Sequence, residues 1–159
     1  WNGSTDRDAY FTDSINYLVY KNNQAVHYLS ILDQLHNKLN WNKLAYCYSN
    51  CIYEKQFTVP YPALDDIQQT FDLCSNILDT LQEQTWTRDE YRQEIMIAAE
   101  GLMVMAQLYA KFAGYEVKQH SDAEQWLKKF RAKWLEKNKE SELFRIEEMF
   151  TVLNRTCVQ

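Results

Sequence analysis

An all-α fold, an antiparallel bundle of five to seven helices around a single core, follows from three observations. Glycine and proline are scarce, at 3 and 2 residues in 159, whereas a many-stranded sheet needs frequent turn-forming residues. Apolar residues recur in alternating steps of three and four, the spacing that builds one face of a helix. The breaks between these runs are short, which favours antiparallel neighbours. Residues 1–159 read as one helical domain, long enough to bury about 70% of the surface its unfolded chain exposes.

Residues 1–7 read as an irregular lead-in. A first helix is expected over 8–21, with Phe11, Ile15, Leu18 and Val19 on its buried face. Asn22 and Asn23 break it. A second helix over 24–39 carries Ala25, Leu29, Leu32 and Leu39. Residues 40–57 keep helical spacing at Trp41, Leu44, Ala45, Tyr48 and Ile52, although their tyrosines and cysteines would also suit a strand. Pro60 and Pro62 then force an extended link, with Pro62 near the first turn of the next helix.

That helix spans 63–84, and Leu64, Ile67, Phe71, Cys74, Leu78 and Leu81 form a heptad-like seam. Thr87 and Glu90 match a capping box. The helix behind them carries Tyr91, Ile95, Ala98, Leu102, Met105, Tyr109 and Phe112, and Gly114 is its C-terminal stop. From Ile95 to Ala106 it is apolar nearly all round, which places it in the middle of the bundle. Ser121 and Glu124 match a second capping box. Trp126, Phe130 and Trp134 line the helix that follows, Asn138-Lys139-Glu140 ends it, and Ser141 is expected to cap a last helix with Leu143, Ile146, Phe150 and Leu153 on its face.

A formal net charge of −5 opposes a nucleic-acid phosphate backbone. The basic run from Lys128 to Lys139 is interleaved with Glu136, which makes it a solvated face rather than a binding patch. No apolar stretch of about 20 residues is expected to span a membrane, and no signal peptide is read. The chain opens on Trp1 rather than Met, as a piece of a longer protein would. Asn2-Gly3-Ser4 and Asn154-Arg155-Thr156 match a glycosylation pattern that arises readily by chance. Cys47, Cys51, Cys74 and Cys157 have no disulfide-framework spacing. They read as buried thiols, favouring a reducing, cytoplasmic compartment.

The search for chemistry assigns no catalytic, cofactor-binding or metal-ligating residue. Asp65 and Asp66 resemble half of a magnesium-binding aspartate motif, but position 69 is Gln69, and the pair suits a helix N-terminus. Glu100 interrupts an apolar turn and reads as a possible buried carboxylate, which would need a partner on a neighbouring helix. No Glu-x-x-His pair accompanies it. His27, His36 and His120 stand apart from any nucleophile. Tyr46, Tyr48, Tyr53 and Tyr61 are candidates for a protein interface.

The segment from Trp126 to Leu143, with Trp134-Leu135, then Asn138-Lys139, then Ser141-Glu142-Leu143, resembles the helical region that closes many bacterial family 20 β-N-acetylhexosaminidases. Residues 92–112 also look like the preceding helix of that region. The resemblance implies the C-terminal helical domain of a glycoside hydrolase. Its catalytic (β/α)8 barrel, carrying an Asp-Glu pair outside this sequence, would remove terminal N-acetylhexosamine from glycans. Trp126, Trp134, Asn138, Lys139, Ser141, Glu142 and Leu143 would then be a structural signature, and the partners would be the barrel of the same chain or a second copy. A stand-alone helical interaction module is the alternative.

Overall fold

The computed structural model describes residues 6–53 and 57–156. Asn2, its glycosylation tripeptide and Cys157 lie outside them. The described residues form seven α-helices and no strand: α1 (Arg7–Ser14), α2 (Ala25–Leu39), α3 (Trp41–Tyr53), α4 (Leu64–Glu83), α5 (Asp89–Ala113), α6 (Ala123–Lys137) and α7 (Leu143–Thr156). A π-helical turn, Ile15–Tyr20, extends α1, and a 3₁₀ turn, Glu140–Glu142, leads into α7.

Side-chain bridges fix how the helices run. Lys38, near the end of α2, donates to Gln69 (2.6 Å) and lies 3.4 Å from Asp66, both early in α4. At the opposite end, Gln84 just past α4 donates to Gln24 (3.3 Å) and Tyr28 (3.2 Å), at the start of α2. The two helices are therefore antiparallel. The five-residue link Gln84–Arg88 returns the chain as α5, antiparallel to α4. Trp126 Nε1 donates to the Ile97 carbonyl at 2.9 Å, and farther along α6, Lys133 donates to Gln93 at 3.2 Å. As α6 advances, its partners recede along α5, so this pair is antiparallel too.

Helix α5 is the axis of the bundle. Ten consecutive residues, Gly101–Ala110, are buried, as the all-round apolar sequence requires. Ile67, Phe71, Cys74, Ile77 and Leu81 of α4 and Leu32, Leu35 and Leu39 of α2 join them in the core. Leu64 and Leu78, expected in the α4 seam, are 43% exposed and partly buried respectively. Each fully buried Leu or Phe contributes about 1.5–3 kcal/mol relative to leaving it exposed. The Tyr109 hydroxyl donates to the Asn40 carbonyl (2.7 Å), where α2 turns into α3 with Asn40 at φ 58°. By length and hydropathy α5 is apolar enough to cross a membrane, contrary to the sequence reading. In the fold, however, 67% of that stretch is buried inside the bundle.

Three capping expectations are corrected. Thr87 lies in a turn, and α5 opens at Asp89 behind Arg88, which makes no side-chain cap bond. Asp89 instead accepts from Arg92 (2.6 Å) and Gln93 (2.7 Å), and the Arg92 hydrogen bond holds its carboxyl below the usual range. At α6 the cap is Asp122, whose Oδ1 accepts from the amides of Glu124 and Gln125 (2.9 and 3.2 Å). The Ser121 hydroxyl is buried without a hydrogen-bond partner. Ser141 lies inside the 3₁₀ turn, so its backbone cannot take the extended cap conformation. Lys139 takes it instead (φ −79°, ψ 156°), with no side-chain acceptor to offer. Accordingly, Asp122→Ala is expected to cost about 1 kcal/mol in urea unfolding, whereas Ser121→Ala is expected to be neutral or stabilising, because it removes an unsatisfied buried group.

The first helix also departs from expectation. Phe11, Leu18 and Val19 are 62%, 67% and 41% exposed, because the buried face of this segment is carried by a polar residue. Asn16, 5% exposed, accepts from the Val26 amide (2.9 Å) and donates to the Asn23 carbonyl (3.1 Å). Its own carbonyl accepts from Lys21 and Asn22, so the wide turn closes around it. Gln24 provides no side-chain cap for α2, and Asn16 satisfies one of the orphan amides from ten residues away.

Candidate functional site

A groove of about 660 Å³ opens between α2 and α6, with α5 as its floor and α7 closing one end. Small-molecule sites span roughly 300–1,000 Å³ and are lined by apolar and aromatic groups with a few polar ones. On α6, Trp126, Phe130 and Trp134 recur every four residues and form an aromatic wall. Ring centroids are 5.3 Å apart between Trp126 and Phe130, and 5.7 Å between Phe130 and Trp134. Phe150 of α7 packs against Trp126 (4.8 Å) and Trp41 of α3 (5.8 Å), closing that end. Leu29 and Leu32 form the facing wall on α2.

Gly101 lets this wall sit against the floor. A Cβ at that position would lie 2.8 Å from Trp126 Cζ2, closer than packed side chains tolerate, so a residue with no side chain allows the indole to lie on the α5 backbone and reach the Ile97 carbonyl.

The groove mouth is polar, with Asp33, His36, Glu94, Lys133, Lys137 and Asn138 along it. Lys137 pairs with Glu94, whose hydrogen bond raises the lysine pKa, and it lies over the Tyr91 ring at 4.7 Å. Lys133 pairs with Glu136 at 2.7 Å. Asp33 accepts from Asn37 (3.2 Å) and belongs to no salt bridge among the described residues.

Of the signature residues, Trp126, Trp134 and Asn138 line this groove, and Lys139, Ser141, Glu142 and Leu143 lie outside it. Trp126 is buried, and Trp134 is half-buried on the groove wall. Trp134 therefore lines the groove instead of filling the core, and its Nε1 donates to the Lys139 carbonyl at 3.0 Å. Asn138 closes the end of α6 through its backbone amide (2.9 Å) and side-chain amide (3.2 Å), both donated to the Trp134 carbonyl. Among the described residues the Lys139 side chain makes no capping bond; its backbone carbonyl receives the indole. Glu142 is exposed, 3.5 Å from Arg145, and Leu143 is fully buried.

Glu100 is half-buried and pairs with Lys129 across the α5–α6 interface at 2.7 Å. Both groups reach solvent, so the pair is worth little. Glu100→Gln is expected to cost about 0.5 kcal/mol or less by denaturant titration.

The described cysteines and His120 sit in packed settings. Cys47 and Cys74 are buried and Cys51 is half-buried, and burial pushes the Cys74 thiol up to about 12, the opposite of a reactive thiolate. His120 stacks on Phe71 (centroids 4.2 Å apart). No three His, Cys, Asp or Glu side chains gather as a metal site among the described residues. Of the expected interface tyrosines, Tyr46, Tyr53 and Tyr61 are exposed, at 50%, 65% and 37%, while Tyr48 is half-buried. Desolvation, with Glu148 beside it, raises the Tyr48 pKa.

Gly101, a lone glycine in the middle of an apolar helix, is the sequence feature that marks where the Trp126 indole rests on α5. No family model matches this chain, and no curated protein or solved structure matches it.

Proposed function

We propose that this domain is the non-catalytic helical companion of a glycoside hydrolase barrel resembling the family 20 β-N-acetylhexosaminidases, which it supports by docking through its first helix. One observation carries the reading. Tyr10, Phe11, Tyr17 and Leu18 are 66%, 62%, 57% and 67% exposed. All four lie on α1 and the π-helical turn that extends it. Exposed apolar groups of this kind mark surfaces that bury against a partner. The resemblance of residues 126–143 supplies the identity of the partner.

The test has two parts. The 159-residue chain is expected to leave a chromogenic N-acetylglucosaminide unhydrolysed. The coding sequence preceding Trp1 is expected to encode a barrel with an Asp-Glu dipeptide at a strand end. In that longer chain, Phe11→Asp with Leu18→Asp is expected to lower the stability of the barrel. The same pair should leave the unfolding of the 159-residue chain nearly unchanged. Turnover by the chain alone, or upstream coding sequence without a barrel, overturns the reading.

A further inference from the structure

We propose that the groove between α2 and α6 is a binding site for hydrophobic organic cations. The walls supply the apolar part of the recognition. Trp126, Phe130 and Trp134 stand on one side, Leu29 and Leu32 on the other, in a space of about 660 Å³. That volume suits a small molecule, and its openness to solvent gives entry without unfolding.

The sign of the charge follows from the rim. Both rim lysines are already paired: Lys133 with Glu136 and Lys137 with Glu94. An anion entering the groove would have to compete with those carboxylates. Asp33 lies on the rim outside every salt bridge among the described residues, leaving a negative charge available to a ligand. The half-buried rings of the wall, Phe130 and Trp134, supply π surface that is itself negative and attracts cations. Aromatic faces and an uncompensated carboxylate thus favour the same ligand sign. A sugar, with many hydroxyls, would find few hydrogen-bonding groups in this groove. The site is independent of the α1 face, none of whose exposed residues line it.

Tetraphenylphosphonium and tetraphenylborate, nearly identical in shape and opposite in charge, form the decisive pair of probes. Titration of the purified chain would be followed by calorimetry and by tryptophan fluorescence, near pH 8, above the ordinary histidine range. Saturable binding of the phosphonium at one per chain is expected, about tenfold tighter than the borate. Asp33→Asn is expected to weaken the phosphonium by about two- to fivefold and leave the borate unchanged or improved. Ala98 is exposed on the groove floor. Ala98→Trp would fill the space without disturbing the core, so it should abolish binding while circular dichroism and the unfolding midpoint stay near those of the parent chain. Equal affinity for the two ions, absence of saturable phosphonium binding, or phosphonium binding that survives Ala98→Trp would each overturn the proposal.

Discussion

Replacing Trp126 with alanine is expected to lower the stability of the domain by about 3–5 kcal/mol, among the largest single-residue effects in the chain. The indole packs against Phe130 and Phe150 and hydrogen-bonds the α5 backbone. It also lies directly over Gly101. In a domain of this size each kcal/mol moves Tm by about 2–4 °C, so a fall of roughly 6–20 °C should appear in a thermal melt. Gly101 turns this into a stricter test. Gly101→Ala in the parent chain is expected to cost about 1–3 kcal/mol, because the new methyl meets the indole. In the Trp126→Ala background the clash is gone, and the same substitution is expected to stabilise by up to about 1 kcal/mol through helix propensity. A double-mutant cycle read by urea unfolding checks the change of sign. Purely additive effects would mean that the indole does not rest on Gly101.

Replacing Gln107 with leucine is expected to cost about 2–4 kcal/mol despite the similar size and greater apolarity of leucine. Gln107 is 6% exposed, inside the buried stretch of α5. Its Oε1 accepts from the amides of His120 and Ser121 (3.0 and 3.3 Å), and its Nε2 donates to the Ser121 carbonyl (3.1 Å). A leucine there would leave three backbone groups to find other partners. The link between α5 and α6 would loosen, and the His120 ring would lose its seat on Phe71. NMR should show the loss as a change in the ring-current shifts of His120, alongside the lower unfolding midpoint.

The bundle was legible where periodicity does the work. The seams of α2, α4, α5 and α7 bury at Leu32, Phe71, Leu102 and Phe150, because a 3.6-residue repeat leaves one favourable face to hide. Gly114 ends α5 in the left-handed conformation, at φ 73°, which glycine adopts without a Cβ penalty. The caps were less legible. A capping box is a local pattern, but which residue takes the extended backbone depends on how the chain enters the helix. At α6, Asp122 sits one residue beyond the pattern, at the position from which its carboxylate reaches the amides.

Asn16 was illegible for a different reason. Its neighbours Ile15, Leu18 and Val19 suggest a buried apolar face, while its own role is to bond backbone atoms seven and ten residues away. The groove was not legible in the sequence because aromatic spacing is the same whether a ring fills a core or walls a cleft. Only the distance between α2 and α6 separates the two cases, and no local pattern encodes it.

The uninterrupted burial of α5 from Gly101 to Ala110 has a consequence for how the molecule opens. Amide protons in that stretch are screened by α2, α4 and α6 together, so solvent reaches them only when the whole assembly comes apart. In heavy water they should be the last to exchange, with protection equal to the global unfolding free energy. Amides of α1, whose exposed apolar residues leave it little to lose by fraying, should exchange through small local openings. The domain would then present two regimes at once: a slow interior that keeps time for the whole fold, and a fast N-terminal margin free to adjust to whatever it meets.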